Sequence, residues 1–241
     1  ALGSNFAGDI DVRRLGIMMV VAVVPLALIL LQPDLGTALV LVAVTMGVLL
    51  VAGVRAKHIA ALTLFGLTAV VGVLNSGFLQ DYQRDRLAVF LDPGSSLQGE
   101  AYNLNQSKIA IGSGGLTGKG LFSGPQTQLG AVPEQESDFI FTAIGEELGF
   151  VGSSLVLLLF AFMCWRIWRI AQLSRDLFGQ LLCAGILSIL IFQLFQNTGM
   201  TMGIMPITGI PLPLVSHGGS STIAIFVGLG LVHNVHMRRF S

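Results

Sequence analysis

Apolar residues along this chain fall into six long runs, separated by short polar breaks and by one long one. The runs cover about Leu15 to Leu31, Leu35 to Val54, Ile59 to Leu79, Asp138 to Trp165, Phe178 to Met200 and Ser220 to Val235. An α-helix needs about 20 predominantly apolar residues to cross the hydrocarbon core of a bilayer, so the pattern predicts six transmembrane helices. Pro33 breaks the chain between the first two, and Asp34 is placed to cap the second by accepting backbone N–H bonds. A turn rich in Pro and Gly, Gly203 to Pro213, separates the fifth from the sixth. The stretch Gln80 to Ser137 is too long for a simple connection, and loops of that length are usually functional or disordered. Inside it, apolar residues recur at helical spacing from Tyr102 to Ile111, which predicts a helix lying on the membrane surface. The expected fold class is all-α: a polytopic membrane helix bundle forming a single integral membrane domain over residues 1–241, with 80–137 as a long extracytoplasmic loop.

Composition strengthens this reading. The chain is 53% hydrophobic and 11% charged with a mean hydropathy of +0.80, where a soluble domain carries about 25% charged residues. Thirteen Lys and Arg balance thirteen Asp and Glu, so nothing in the charge suggests nucleic-acid binding. Thirty glycines suit close helix contacts and tight loops. Cys164 and Cys183 read as ordinary apolar residues rather than a disulfide. The chain begins Ala-Leu-Gly rather than with Met and shows no signal-peptide pattern, which suggests a fragment. No internal duplication is evident.

Basic residues orient the spans. Arg13, Arg14, Arg55, Lys57, Arg166, Arg169, Arg175, Arg238 and Arg239 fall on the side of the termini; Arg84, Arg86, Lys108 and Lys119 fall on the other. The positive-inside rule therefore places the termini in the cytoplasm and the long loop outside. The Gln32 to Thr37 turn, the Met202 to Val215 turn and Asp138 then all face outward.

The candidate chemistry concentrates between Ala131 and Gly152. Glu134, Glu136 and Asp138 stand at the mouth of the fourth apolar run, and Glu146 and Glu147 lie inside it. Acidic residues in a membrane-length segment are costly, so each is a hypothesis about function. Glu146 would sit roughly 12 Å deeper than Asp138 at 1.5 Å rise per residue. Asp138, Thr142, Gly145 and Gly149 share one helical face, with Glu146 at its flank. That face is small and polar, suited to a cavity or a close helix neighbour. Glu147 points away and is expected to pair with another helix.

For Asp138 two readings stand: a carboxylate satisfied by the free N–H groups and dipole of a helix start, or one kept ionised there as a base or metal ligand. Lys108 and Lys119 flank and enter the glycine-rich segment Ile111 to Gly120. Exposed glycine N–H groups and an ammonium suit phosphate; the alternative is a flexible loop with solvated lysines. Arg84 and Arg86 alternate with Asp81 and Asp85, which suits local ion pairs. Asp34 and Ser216 read first as caps and second as substrate contacts. His217 reads as a hydrogen-bonded structural residue ahead of a metal ligand. His233 and His236 read as headgroup contacts ahead of a metal pair, and Trp165 and Trp168 as interfacial anchors.

Four stretches in this order carry a resemblance: Q-P-D-L-G-T-A (32–38), Q-S-K-I-A-I-G-S-G-G-L-T-G-K-G (106–120), P-E-Q-E-S-D-F-I-F-T-A-I-G-E-E-L-G (133–149) and G-I-P-L-P-L-V-S-H-G-G-S-S (209–221). Together the chain resembles the SEDS family (shape, elongation, division and sporulation proteins), its elongation branch rather than its division branch. Family members have ten spans, and the match covers the last six, which implies that the first four are absent from this sequence. Gln135-Glu136-Ser137 depart from a pattern in which His-Thr often precedes the aspartate, and His217 replaces a usual Tyr. The resemblance implies a peptidoglycan glycosyltransferase of the bacterial cytoplasmic membrane that polymerises lipid II during cell-wall elongation and rod-shape maintenance. It implies an extracytoplasmic active site and a class B penicillin-binding protein as partner. It aligns Asp138 with the family's essential aspartate, acting as general base or holding a divalent cation, Mg²⁺ or Mn²⁺. A sugar hydroxyl must lose a proton as it attacks an anomeric carbon, and a lipid pyrophosphate leaves, whose charge suits lysine or a cation. Two rival readings are a lipid II flippase that uses Glu146 and Glu147 for proton coupling, and a non-catalytic scaffold for the transpeptidase.

The predicted topology is checked by cysteine labelling from the outer side. A Cys at Ser95 is modified and a Cys at Ser174 is spared; the reverse pattern removes the outer-face site.

Overall fold

The structure, a computed structural model, describes residues 12–32, 34–76, 80–91 and 99–238. Pro33, Leu79, Ser95, Arg239 and the polar start of the chain as far as residue 11 lie outside the described residues. Among those described there are nine α-helices and no strand: α1 (Val12–Leu31), α2 (Leu35–Val51), α3 (Ala56–Ser76), α4 (Asp81–Leu91), α5 (Glu100–Gly114), α6 (Pro125–Gln128), α7 (Ile140–Gln172), α8 (Leu177–Met202) and α9 (Gly219–Arg238). The all-α class therefore holds, and an apolar helix stands at each of the six predicted positions. Three of them, α7, α8 and α9, are long and apolar enough to cross a membrane. The apolar parts of the other three, Leu15–Leu31, Leu35–Val51 and Ala56–Gly72, are shorter and lie at the lower limit for a span.

The chain divides into two compact units. The first comprises residues 1–79, 166–190 and 227–241. Its described core joins Leu15 of α1 to Leu49 and Val54 at the end of α2, with Met18, Met19, Ile59 and Leu62 packed around them. Asp34 caps α2, accepting from the Thr37 amide at 2.9 Å and from the Thr37 hydroxyl at 2.6 Å. The apolar run continues to Val54, yet the helix stops at Val51. Gly53 takes a positive φ of 78°, and the Gly53 and Val54 amides return to the Leu50 and Leu49 carbonyls. This is a Schellman ending, which glycine permits without steric cost.

The second unit comprises residues 80–165 and 191–226. The polar interlude is not an open loop here, since α4, α5 and α6 all lie within it. Helix α5 contains the predicted 102–111 segment, but its stripe of Ala101, Leu104, Ser107, Ala110 and Gly114 is buried by protein rather than turned to a membrane surface. Val89, Ala101, Leu104, Val132, Phe139 and Ile207 form one core cluster. Arg86 of α4 pairs with Glu100 of α5 at 2.9 Å, a longer-range bond than the local pairs its spacing suggested.

Helices α5 and α7 meet along glycine. A Cβ on Gly114 would collide with the Gly145 carbonyl, one on Gly118 with the Glu147 carbonyl, and one on Gly149 with the Gly118 amide. Helix α7 is broken at Gly149, whose φ of 65° and ψ of −163° are not helical. The backbone groups released by that break are bonded to the glycine-rich loop: Lys119 N to Glu146 O at 3.0 Å, Gly120 N to Glu147 O at 3.0 Å, Phe150 N to Gly115 O at 2.9 Å and Val151 N to Leu116 O at 3.0 Å. An interrupted helix is tolerated in an apolar setting only when such groups are re-satisfied. Two of the loop amides that the sequence offered to phosphate, those of Lys119 and Gly120, are thus engaged by α7.

Glu146 has no exposed surface. Its carboxylate accepts from the Gln126 amide at 2.9 Å, the Thr127 amide at 2.9 Å and the Thr127 hydroxyl at 2.7 Å. A Cβ on Gly124 would lie 2.7 Å from the Glu146 carboxyl carbon, so glycine is what lets the chain close over it. Glu147 makes no side-chain hydrogen bond or ion pair among the described residues, and the helix partner expected for it is not found there.

Glu146→Gln keeps the shape but turns an NH₂ group toward N–H donors. Loss of charged hydrogen bonds costs about 1.5–3 kcal/mol each. Glu146→Gln is therefore expected to lower the melting temperature of the detergent-purified protein and to speed proteolysis near residues 124–128, while Glu147→Gln leaves both unchanged. Equal melting curves for all three proteins would remove Glu146 from this role.

Candidate active site

Asp138 is presented by a tight turn. Glu134 sits at a positive φ of 54°, and its carbonyl collects three amides: Ser137 at 3.3 Å, Asp138 at 3.0 Å and Phe139 at 3.3 Å. The Ser137 hydroxyl donates to the Glu134 carboxylate at 3.1 Å. Phe139 then anchors the turn, only 3% exposed within the core cluster. Helix α7 begins at Ile140, so Asp138 precedes it, and the amides of Ser137, Asp138 and Phe139 serve the Glu134 carbonyl.

From the other side, Asn197 of α8 donates to the Asp138 carbonyl at 2.7 Å and to the Ile210 carbonyl at 2.8 Å. One Asp138 carboxylate oxygen lies over Gly209, where an added Cβ would be 3.2 Å away and where φ is +70°. Burial raises the Asp138 pKa above the ordinary aspartate value, and the Glu134 charge adds to this. Arg86 pulls it down, Glu100 pushes it up, and the Ser137 hydroxyl pulls it down. The dipole reading expected an ordinary ionised carboxylate; removal from water, not the helix end, dominates.

One turn into α7, Thr142 meets α5 and α8. The Ser107 hydroxyl donates to the Thr201 carbonyl at 2.8 Å and lies 2.7 Å from the Thr142 hydroxyl. All three residues are fully buried. Lys108 follows Ser107 and lays its side chain on Gly203; a Cβ there would come within 2.6 Å of the ammonium nitrogen, and φ is +75°. Lys108 makes no ion pair among the described residues. Asp138 and Lys108 therefore rest at the two ends of one glycine-bounded turn, Gly203 to Gly209.

The other candidates lie elsewhere. Lys119 is exposed, and its amide is tied to the Glu146 carbonyl, two turns along α7 from Asp138. Glu146 is used in holding α6. Asp34 belongs to the first unit and uses both carboxylate oxygens on Thr37. Ser216 is buried and closes its own turn, accepting from the Leu212 amide at 2.8 Å. The His217 amide donates to the Glu136 carbonyl at 2.8 Å, and both residues line two cavities. One, of about 670 Å³, includes Ile140, Ser216, Gly218 and Thr222; the other, of about 390 Å³, includes Thr127, Glu134, Gln135 and Ser137. Asp138 lines neither, though its neighbours in sequence do. No group of three His, Cys, Asp or Glu side chains gathers as a metal site among the described residues. Asn197 was missed by sequence reasoning. Its signal was an amide within an apolar span, where polar side chains serve as interhelical ties.

Residues 8–240 match the model of the cell cycle protein family FtsW, RodA and SpoVE. The chain is 40% identical over 229 residues to the peptidoglycan glycosyltransferase MrdB of Escherichia coli, covering 95% of this chain and 62% of that protein. It is 40% identical over 179 residues to the peptidoglycan glycosyltransferase RodA of Treponema pallidum, covering 74% of this chain and 41% of that protein. Among solved structures, a chain of a peptidoglycan synthase complex that coordinates polymerization and crosslinking superposes with a TM-score of 0.80 at 32% identity, over 100% of this chain and 67% of that one. The rod shape determining protein RodA of Thermus thermophilus gives a TM-score of 0.65 at 29% identity, over 100% and 62%. The chain thus spans about three fifths of the length of MrdB. With the motifs, the helical architecture and these similarities in agreement, the chain belongs to the FtsW/RodA/SpoVE family of cell cycle proteins.

Proposed function

We propose that the protein carrying this chain polymerises lipid II into peptidoglycan glycan strands, with Asp138 as the general base. The observation that carries this reading is Asp138 itself: a half-buried carboxylate of raised pKa, held before a membrane helix and joined through one turn to the ammonium of Lys108, which makes no ion pair among the described residues. In the reaction, the acceptor sugar hydroxyl attacks the anomeric carbon of the donor. Asp138 takes the hydroxyl proton, the bond from that carbon to the pyrophosphate oxygen breaks, and Lys108 faces the charge that develops there. A single displacement inverts the anomeric carbon. The names of the relatives and the synthase-complex neighbour support this reading, as they support a class B penicillin-binding partner that crosslinks the product; the excess of basic residues on the side of the termini supports a bacterial inner-membrane orientation with an extracytoplasmic site.

A divalent cation fits only in part. The described residues form no three-ligand site, but Mg²⁺ commonly takes one or two carboxylates and completes its shell with phosphate and water. Asp138, with Glu134 nearby, would hold it, and the cation would supply charge stabilisation for the pyrophosphate. The transport reading loses its support in Glu146, whose carboxylate is engaged by α6.

In detergent, with purified lipid II, Asp138→Asn is expected to cut polymerisation by about 10²–10⁴-fold, the usual cost of losing a general base. Membrane insertion and transpeptidase binding stay intact. An active Asp138→Asn protein overturns the assignment. Lys108→Ala is expected to cost roughly ten- to a hundredfold, the equivalent of about 1.5–3 kcal/mol, with partial recovery in Lys108→Arg and a smaller loss in Lys119→Ala. EDTA abolishes activity if a cation is held at Asp138 and leaves it unchanged if Asp138 acts as a base alone.

The pH dependence follows from the raised pKa. A base must be ionised, so activity falls as pH drops through the folded-state pKa, and the acid limb lies above the ordinary aspartate range. Arg86→Ala removes a charge that lowers this pKa and frees Glu100, which raises it; both effects shift the acid limb to higher pH. A limb that stays in place or moves down would separate Arg86 from Asp138.

A further inference from the structure

The tie between α8 and the Asp138 turn has no role in the chemistry above. Asn197 is fully buried. Both of its amide hydrogens are directed, one to the Asp138 carbonyl at 2.7 Å and one to the Ile210 carbonyl at 2.8 Å. Its own carbonyl oxygen has no hydrogen-bond partner among the described residues. A buried acceptor left unpaired is costly, so a residue chosen for packing alone would be apolar. What the amide provides is two donors at a fixed spacing. They clamp the backbone of the Asp138 turn to the backbone of the Gly209–Ile210 turn, the surface on which the Asp138 carboxylate rests.

We propose that Asn197 is a positioning residue: its two donated hydrogen bonds hold the Asp138 carboxylate over Gly209, in the half-buried place from which it acts. Asn197 touches no reacting atom. Four residues on, one helical turn along the same face of α8, the Thr201 carbonyl takes the Ser107 hydroxyl, next to Lys108. One face of α8 therefore sets the positions of both the carboxylate and the ammonium. This inference rests on the reading of Asp138 as the base, and part of its test does not.

When the clamp is released, the carboxylate swings off Gly209 toward water. The charged groups that act on Asp138 are Glu134, Arg86 and Glu100, and the stretch 191–215 contributes none. Relief of burial therefore decides the sign, and the carboxylate titrates at lower pH. Asn197→Leu and Gly209→Ala release or displace it from opposite sides.

The experiment uses the whole protein in detergent. In steady-state polymerisation of lipid II, each variant is expected to lose about ten- to a hundredfold in kcat, as for a misplaced catalytic group, with KM within about twofold and the acid limb moved down. In parallel, a hydrophobic carbodiimide, which reacts with protonated carboxyls, is used to label Asp138 across pH, with mass-spectrometric readout. The pH of half-labelling falls in both variants. A protein that is only destabilised would lose amplitude without moving either midpoint.

A folded Asn197→Leu protein with unchanged kcat and unchanged midpoints overturns the proposal. If that variant fails to accumulate, Gly209→Ala decides: unmoved midpoints there overturn it equally. If the unaltered protein makes no glycan, the polymerase reading falls, while the labelling midpoints still support or overturn the positioning role.

Discussion

The second unit depends on a seam in which backbone meets backbone. Helix α7 is broken at Gly149, and the carbonyls and amides around the break are carried by the loop that follows α5. In an apolar environment an unsatisfied peptide group is expensive, so the loop and the broken helix require one another. Only glycine lets the two backbones approach this closely, because a Cβ at Gly114, Gly118 or Gly149 would overlap the partner main chain. Side chains then reinforce the seam from both ends. Glu146 fastens α6, and the Ser107 hydroxyl, bonded to the Thr142 hydroxyl and the Thr201 carbonyl, fastens α5, α7 and α8.

On that frame the electrostatics of Asp138 are a contest between solvation and charge. Burial and two neighbouring carboxylates raise its pKa, while Arg86 opposes them. Arg86 is itself fixed by Glu100, so the net charge beside Asp138 is smaller than the separate residues would give. A half-buried carboxylate is a better proton acceptor than a solvated one of ordinary pKa, provided it remains ionised at working pH. The site is thus tuned first by burial and by Glu134 of its own turn, and then by Arg86 of α4 and Glu100 of α5.

Much of this was legible in the sequence. Period, length and composition located the six apolar helices, with most ends within a few residues and α7 running seven residues past its predicted end at Trp165, because burial in lipid leaves an unmistakable run of apolar side chains. The small face of Asp138, Thr142, Gly145 and Gly149 marked a close neighbour, and α5 occupies it. Four spaced motifs pointed to the family. Lys108 and Asp138 were identified as the charged groups of interest, and the structure brings them to opposite ends of one turn.

Other features required the tertiary structure, since they depend on which distant backbone groups meet. The glycine-rich run reads as free amides, but the amides of 118–120 are all bonded, two of them to α7 and one to Gly114. Glu146 and Glu147 are adjacent and chemically alike. One is completely enclosed by Gln126 and Thr127, twenty residues away in sequence, and the other makes no such contact. Asp138 looked like a helix-start carboxylate, yet the helix begins two residues later and the amides turn to Glu134. Asn197 is one amide in an apolar span until the fold sets the Asp138 and Ile210 carbonyls beside it. Sequence determines local preference and the medium each helix meets; the partners of a hydrogen bond between distant segments are decided only when packing brings their backbones within 3 Å.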